Sequence, residues 1–352
     1  RKPQPPFTTS TLQQEASKRL GFNPTRTMQV AQKLYEGIDS QKIEGGLITY
    51  MRTDGVQIED NVINEIRSNI EVNFGTEQVP QNKNIYQTKS KNAQESHEAI
   101  RPTSISNAPE DIKPHLSDEQ FKLYELIWKR TMASQMANAK FERTSITIKA
   151  VDHLGQNNLF RASGEHRLEA GYQVLFDDKP NDGAEKDLNE EKLSNQNVFG
   201  IEENESINCK KLTDNTHDTE PPPRFNPASL IKLLEDLGVG RPSTYASILS
   251  VLTERNYTKL EQKRFTPTSN GRLLTVFLEN YYPDYVKYDF TADLEEKLDQ
   301  ISNGDFTRIS LLKDFYSNLD LKTKNVKDVE RIEVMENLVD TLAPHIFGQD
   351  SE

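Results

Sequence analysis

The hydrophobic and polar positions near the start of the chain predict two helices followed by a strand. Helical spacing, capping residues and a stop glycine predict helices over residues 7–21 and 24–35. Residues 47–54 form an apolar run that gives way to polar residues at Tyr50, as expected at the edge of a strand. Because strand side chains alternate between faces, Tyr50 and Arg52 should point the same way. The pattern therefore predicts a phenol and a guanidinium on one surface.

A similar order of elements recurs in the second half of the chain. Asn226 predicts the start of a helix that ends at Gly238, and Pro242 starts a second helix. Strands over residues 257–260 and 264–266 predict a hairpin. Helix, turn, helix and hairpin is the order found in a winged helix-turn-helix, which seats a helix against nucleic-acid phosphates. Two ordinary helical hairpins would produce the same pattern.

Between these regions the pattern changes from helical to alternating. Residues 112–138 have helical spacing, and their aromatic cluster is interpreted as core rather than as a base-stacking platform. Alternation over residues 144–151, 158–162 and 205–209 predicts strands of a β domain with long acidic loops. Helical spacing returns over residues 325–347. The chain is therefore predicted to be a multidomain α+β protein.

The net charge of −12 on 352 residues is unevenly distributed. Residues 177–220 carry thirteen acidic side chains against five lysines, and residues 284–352 carry sixteen acidic against eight basic ones. By contrast, residues 1–55 carry eight basic against five acidic side chains, and residues 221–270 carry seven against four. Because nucleic-acid affinity depends on the local patch, the acidic total does not exclude a DNA-binding protein.

The composition argues against membrane, disulfide-rich and zinc-binding classes. No apolar run approaches the ~18 residues of a membrane span, and no signal peptide is recognisable. The single cysteine, Cys209, allows neither an internal disulfide nor a cysteine-rich zinc site, and the five histidines other than His97 have no partner spacing that suggests a metal. We expect a soluble intracellular chain, and its start at Arg1 suggests a piece of a longer protein.

Tyr50 and Arg52 are candidates for phosphodiester chemistry. A guanidinium holds two phosphate oxygens at once, and a phenolic oxygen both attacks phosphorus and leaves more readily than an alkyl alkoxide. Strand transfer onto a tyrosine is therefore reversible. Taken alone, residues 47–54 are explained more simply by a half-buried tyrosine beside a solvated arginine.

Two further segments carry polar chemistry. His97 could donate or relay a proton beside a phosphate, because histidine titrates near neutral pH, but an ordinary surface histidine is the alternative. Residues 238–245 offer backbone amides, hydroxyls and a guanidinium at a predicted helix start, which suits an anion. A glycine-rich turn between helices is the alternative there.

Five motifs follow one another in a fixed order. They are Gln-Lys-Leu-Tyr-Glu at 32–36, Leu-Ile-Thr-Tyr-Met-Arg-Thr-Asp at 47–54, Ser-His-Glu-Ala-Ile-Arg-Pro-Thr at 96–103, Pro-Pro-Pro-Arg-Phe at 221–225 and Gly-Val-Gly-Arg-Pro-Ser-Thr-Tyr at 238–245. Their combination resembles the type IA DNA topoisomerases, and within them the bacterial topoisomerase I group. The resemblance runs from Phe7 to about Phe315. One departure is Gly55, where the family pattern leads us to expect a serine.

The resemblance implies an arch in which helical, winged-helix-like domains flank an all-β hinge domain. Its expected domains are the start of an incomplete β arch (1–9), a helical catalytic-tyrosine domain (10–138), a β arch and hinge (139–220), a helical DNA-groove domain (221–324) and a linker toward a C-terminal region (325–352).

The same resemblance implies roles for individual residues. Tyr50 is the expected nucleophile, which becomes 5′-phosphotyrosyl, with Arg52 and His97 as the other catalytic residues. Glu98 and Arg101 are expected to pair and to fix their loop. The expected DNA contacts are Arg101, Arg224, Arg241, Ser243 and Thr244.

The implied function is cleavage and religation of one DNA strand, which relaxes negatively supercoiled DNA by single-strand passage. The expected partners are single-stranded and negatively supercoiled DNA, and the expected state is a cytoplasmic monomer on the nucleoid. The family's Mg²⁺ ligands belong to an N-terminal domain with an Asp-x-Asp-x-Glu motif, and this sequence contains no Asp-x-Asp. We therefore expect no metal ligand, no zinc site and no independent relaxation activity in this chain. The alternatives are a non-catalytic single-strand DNA-binding module and an unrelated helical scaffold.

Overall fold

The computed structural model of the protein describes residues 1–38, 45–87, 97–176 and 198–346, and of residues 344–346 only the backbone. Ser96 of the 96–103 motif and residues 177–197 of the acidic run lie outside these ranges. Within them the chain mixes helices with small sheets, as predicted. The α-helices are α1 (Thr9–Arg19), α2 (Pro24–Glu36), α3 (Asp60–Phe74), α4 (Pro109–Ile112), α5 (Asp118–Ser134), α6 (Pro227–Asp236), α7 (Tyr245–Glu254), α8 (Ser269–Tyr281), α9 (Pro283–Val286), α10 (Tyr288–Asn303), α11 (Arg308–Lys327) and α12 (Arg331–Ile346).

Two antiparallel pairs make up the sheets of the described residues. The strands are β1 (Lys140–Val151), β2 (Asn157–Glu169), β3 (Thr258–Glu261) and β4 (Arg264–Pro267). The predicted hairpin and the first two predicted central strands are confirmed. The strand predicted over residues 205–209 is wrong, because these residues are exposed and form no strand. Residues 205–209 pair with no strand among the described residues, so their alternation has no backbone partner.

One compact unit comprises Arg1–Pro6, Ile58–Ile85 and Trp128–Pro223. Its main feature is the long ribbon of β1 and β2, which runs from Lys140 opposite Glu169 to Val151 opposite Asn157. Most of its side chains are exposed, and Leu159 is 71% exposed. Hydrogen bonds between the two strands, rather than a buried face, therefore hold this ribbon together.

The other unit comprises Phe7–Gln57, Tyr86–Ile127 and Arg224–Glu352. Its centre is built from two helical pairs: α1 packs against α2 and α6, and α2 also packs against α7. Ile231, Tyr245, Leu249 and Phe265 form a buried core beneath α6, α7 and β4. Burial raises the pKa of Tyr245 to about 12, so this phenol stays protonated in the core.

Side-chain caps fix where the paired helices begin. The Thr8 side chain accepts from the backbone N–H of Thr11 before α1, and Asn226 accepts from Ser229 before α6. The helix predicted from Pro242 begins at Tyr245 instead. The reason is a turn over residues 241–244, which is closed by a bond of 2.8 Å from the Thr244 amide to the Arg241 carbonyl.

The long helix predicted over residues 112–138 is shorter than expected. The short 3₁₀ helix Lys113–His115 contains Pro114, and Leu116 is extended, so α5 begins only at Asp118. Proline lacks the N–H that a continuous helix needs. The interpretation that the aromatic cluster belongs to the core is confirmed for Tyr124. This side chain is fully buried, and its hydroxyl donates to the Asn107 carbonyl at 2.8 Å.

Candidate active site

Residues 47–54 carry Tyr50 on an irregular segment, so the predicted strand is wrong. Within it only Ile48 forms a β-bridge, to Pro102. The predicted facing is nevertheless confirmed, because Met51 is buried, Tyr50 is half-buried and Arg52 is exposed. Met51 anchors the segment while its two neighbours face away from the core.

The first support of this segment is Thr9, in the first turn of α1. Its hydroxyl donates to the Met51 carbonyl at 2.7 Å and accepts from the Thr53 amide at 2.9 Å. The Thr9 amide donates to the Thr53 carbonyl at 2.9 Å. All of these groups are buried, so the bonds are shielded from water. One threonine thereby fixes the backbone on the C-terminal side of Tyr50.

The second support is the segment that follows His97. The Thr49 amide donates to the Arg101 carbonyl at 2.9 Å, and the Thr49 hydroxyl donates to the Ala99 carbonyl at 2.7 Å. The backbone is thus held on both sides of Tyr50. A nucleophile held on such a frame loses little orientational freedom when it reacts.

Tyr50 opens onto a cavity of about 270 Å³. Five of the residues predicted for the site share this cavity. Four others, which the sequence reasoning did not select, also line it. The lining residues are Tyr50, Arg52, Thr53, Asp54, His97, Arg241, Pro242, Ser243 and Asp299.

The Tyr50 ring contacts two other rings. The centroid of the His97 ring lies 5.2 Å from that of Tyr50, with an angle of 46° between the planes. The Tyr35 ring lies 5.5 Å away and meets Tyr50 edge to face at 68°. His97 is therefore beside the candidate nucleophile, as predicted, and Tyr35 is an additional neighbour.

Gly55, the departure from the motif, has a local structural reason. A Cβ atom at this position would lie 2.3 Å from the carbonyl oxygen of His97, which is closer than side-chain atoms pack. The Gly55 amide also donates to the Thr53 hydroxyl at 2.9 Å. Glycine therefore allows the end of the Tyr50 segment to approach the His97 backbone, and a serine would push the two apart.

Arg241 is held at the cavity by carboxylates of α10. Its guanidinium donates to Asp299 at 2.6 Å, lies 3.7 Å from Glu295, and donates to the Gly240 carbonyl at 2.9 Å. The sequence analysis selected neither acidic residue, because the acidic run of residues 284–352 carries no motif that singles them out. No local signal could have identified them, since Asp299 is 58 residues from Arg241.

Asp54 gives the cavity a second carboxylate. Partial burial raises the pKa of Asp54 above its ordinary value, and the nearby Asp299 charge raises it further. A hydrogen bond from the residue's own backbone and the positive charge of Arg241 oppose this increase. The charge inside the cavity therefore changes with pH at Asp54.

The remaining predicted residues lie outside the lining of the cavity. Arg101 is only 8% exposed and donates to Glu98 at 2.9 Å and 3.1 Å, so the predicted pair is confirmed. The Thr244 hydroxyl accepts from the Arg241 amide at 2.8 Å and closes the turn. Arg224 is exposed, and its carbonyl accepts from Arg264 at 2.8 Å. DNA contacts from Arg101, Arg224 and Thr244 stay predictions.

The described residues give no independent sign of a metal centre. Among them, no group of three or more His, Cys, Asp or Glu side chains is arranged to hold an ion. In the same part of the chain, none of the helices has both the length and the apolar character needed to cross a membrane.

Comparisons with known proteins all indicate the same protein family. A family model described as DNA topoisomerase matches residues 1–313. The DNA topoisomerase 1 of Rickettsia bellii is 45% identical over 352 residues, which is all of this chain and 43% of the relative. The DNA topoisomerase 1 of Rickettsia typhi is 46% identical over the same 352 residues, which cover 44% of that relative. The chain thus spans less than half the length of these relatives.

A solved structure supports the same relationship. The full-length topoisomerase I from Thermotoga maritima matches with a TM-score of 0.76 and 35% identity, and the match covers 91% of this chain and 49% of that one. The family model accounts for most of the sequence, and the structural match accounts for most of the fold. The chain belongs to the DNA topoisomerase family.

Proposed function

We propose that this chain supplies the strand-cleaving tyrosine and part of the DNA groove of a type IA topoisomerase that relaxes negatively supercoiled DNA. The observation that carries the proposal is the shared cavity of Tyr50, Arg52, His97 and Arg241. A candidate nucleophile, two guanidinium groups and an imidazole around one space suit a phosphodiester better than any neutral substrate.

In the proposed reaction, the Tyr50 oxygen forms a bond to phosphorus as the bond from phosphorus to the 3′ oxygen breaks. The phenol loses its proton and the 3′ oxygen gains one, which leaves a 5′-phosphotyrosyl strand and a free 3′ hydroxyl. Arg52 holds the non-bridging oxygens, and His97 carries a proton or donates to the phosphate. The reverse steps reseal the strand, and passage of another strand between them changes the topology.

Binding of the strand is proposed to use the turn that precedes α7. Arg241 and Ser243 line the same cavity as Tyr50, although they lie far from it in the sequence. Both side chains can contact a phosphate. The Asp299 carboxylate is already paired with the Arg241 guanidinium, so a DNA phosphate must compete with Asp299 for this cation. Contacts of this kind are independent of base sequence and weaken with salt.

The Mg²⁺ of the full-length enzyme has no fitting ligand set among the described residues. We propose that its ligands lie in an N-terminal domain of the longer protein. The longer protein is proposed to act as a monomer on DNA in the cytoplasm. This chain alone should bind single-stranded DNA weakly and should not relax a supercoiled plasmid with or without Mg²⁺. Relaxation of the plasmid by this chain alone would overturn the proposal that the Mg²⁺ ligands lie in another domain.

The test of cleavage is covalent trapping. A single-stranded oligonucleotide labelled at its 3′ end is incubated with the chain joined to the N-terminal domain, and the mixture is denatured. We expect label on the protein, loss of this label in Tyr50→Phe, and unchanged labelling in Tyr316→Phe, which alters an exposed tyrosine of α11. Binding without labelling would instead favour the non-catalytic DNA-binding module. Membership of the topoisomerase family already excludes an unrelated scaffold.

A further inference from the structure

We infer that Tyr35 is a positioning residue for Tyr50, an inference that rests on the proposed role of Tyr50 as the nucleophile. Tyr35 lies in the last turn of α2, and its ring meets the Tyr50 ring edge to face at a centroid distance of 5.5 Å. Aromatic pairs favour this arrangement, because the positive edge of one ring faces the negative surface of the other. The contact therefore selects one orientation of the Tyr50 ring.

The backbone fixes Tyr35 relative to the Tyr50 segment. The Leu47 amide donates to the Leu34 carbonyl at 2.8 Å, which joins the end of α2 to the segment before Tyr50. A Cβ atom at Gly46 would lie 2.1 Å from the Tyr35 carbonyl oxygen, so the two backbones are in direct contact there. Because the end of α2 and the segment before Tyr50 cannot move apart independently, the distance between the Tyr35 and Tyr50 rings is constrained by the backbone.

Tyr35 acts through Tyr50 rather than on the substrate. His97 contacts the Tyr50 ring and also lines the cavity, whereas the lining set among the described residues does not include Tyr35. Tyr35 is 40% exposed and lies against the other ring without reaching the reacting space. Its contribution is to restrict rotation of the Tyr50 side chain about the Cα–Cβ bond, which is the rotation that moves the phenol oxygen, so that this oxygen stays aligned for in-line attack.

This role predicts a separation between cleavage and binding. Tyr35→Leu removes the ring but keeps an apolar side chain, and it should slow single-turnover cleavage about tenfold. The dissociation constant for a single-stranded oligonucleotide should stay within about twofold, because the cavity is unchanged. Tyr35→Phe keeps the ring and should cleave within about twofold of the parent rate.

The experiment measures adduct formation with the 3′-labelled oligonucleotide, oligonucleotide affinity and melting temperature on the chain joined to the N-terminal domain. Tyr316→Leu is the matched control, since it removes an exposed tyrosine ring far in sequence from the site. Should Tyr35→Leu fail to fold, Tyr35→Met provides the same test with a more flexible side chain. Slow cleavage with unchanged affinity, rescued by Tyr35→Phe, supports the inference.

Three results would overturn it. Tyr35→Leu could cleave at the parent rate, Tyr35→Phe could be as slow as Tyr35→Leu, or affinity could fall in proportion to cleavage, which would make Tyr35 a DNA contact. The Tyr50→Phe variant in the same assay keeps the two proposals distinct. If the parent forms no adduct, the proposed function itself fails. If the parent forms an adduct that Tyr50→Phe abolishes, only the role of Tyr35 is in question.

Discussion

The two helical pairs share their helix ends but differ in the connection between their helices. Both α1 and α6 begin with a side-chain capping box, and each is followed by a leucine and then a left-handed glycine, Gly21 or Gly238. Two residues (22–23) then lead to α2, whereas six residues (239–244) lead to α7.

The extra residues of the second connection carry the chemistry of that pair. Arg241 and Ser243 lie within it and line the cavity, while the short first connection has no lining residue among the described part of the chain. The first pair instead contributes Thr9, whose bonds hold the Tyr50 segment. The same helical frame therefore serves to fix a nucleophile in one copy and to present a cation in the other.

The largest expected effect comes from the nucleophile held by the first pair. Tyr50→Phe removes one hydroxyl and keeps the ring that packs against Tyr35 and His97. Adduct formation should fall by at least about 10³-fold, while oligonucleotide affinity changes by less than about twofold. Adduct measured by gel after denaturation, together with a binding titration, checks both numbers. A retained adduct would falsify the assignment of Tyr50.

The guanidinium on the same segment should have the next largest effect. Arg52→Lys keeps the charge but cannot hold two phosphate oxygens in one plane, so cleavage should slow by about 10²-fold. Single-turnover cleavage is the measurement. The matched control is Arg19→Lys, which makes the same change in an exposed arginine of α1. Normal cleavage by Arg52→Lys would mean that Arg52 has only a structural role.

The lengthened connection of the second pair should affect binding instead. Arg241→Ala should weaken single-strand DNA binding about tenfold and reduce the slope of log affinity against log salt by about 0.7, as expected for one lost phosphate contact. Titrations at several salt concentrations with two unrelated oligonucleotides measure both. An unchanged slope, or a loss confined to one sequence, would remove Arg241 from the groove.

Asp299→Asn is the sharpest control for this contact. It removes the carboxylate that pairs with Arg241 and should strengthen DNA binding about threefold at low salt. The double variant with Arg241→Ala should bind like Arg241→Ala alone. If Asp299→Asn instead weakens binding, the carboxylate positions the guanidinium for DNA rather than competing with it.

The smallest expected effect is on stability and its dependence on pH. Because the pKa of Asp54 is raised in the folded state, the folded chain binds its proton more readily than the unfolded chain. Asp54 therefore costs stability at pH values above its raised pKa, and this cost disappears as pH falls toward the ordinary carboxyl range. Asp54→Asn should raise the melting temperature by about 2 °C at pH 7.5 and by less near the ordinary carboxyl pKa of about 4.

Asp314→Asn on α11 is the comparison for this measurement, because its carboxyl lies on an exposed part of the helix. Melting curves of both variants and the parent across this pH range isolate the contribution of Asp54. A gain that is equal at both pH values, or that is shared by Asp314→Asn, would contradict the proposed effect of burial.

Features that depend on neighbours in the sequence could be predicted from it. The caps before α6, the β3–β4 hairpin and the Glu98–Arg101 pair each involve residues a few positions apart. The alternation around Tyr50 also predicted that Tyr50 and Arg52 face the same way, and both line the cavity. These signals need only local geometry.

Features that depend on contacts between residues far apart in the chain could not be predicted from the sequence. The Tyr50 segment is irregular because Thr9, 42 residues before Met51, takes the hydrogen bonds that a strand partner would make. Asp299 reaches the site only through the packing of α10, and Tyr35 reaches Tyr50 only because α2 ends against Gly46. The motifs identified which side chains matter, but long-range packing decides what surrounds them.

The contact between Gly37 and Gly45 has a consequence for how the chain tolerates changes of length. A Cβ atom at Gly37 would lie 2.6 Å from the Gly45 carbonyl oxygen, so the backbone at one glycine lies directly against the backbone at the other. Lengthening the connection between two fixed ends costs little additional entropy. We therefore expect insertions between Gly37 and Gly45 to be tolerated without displacing Tyr50.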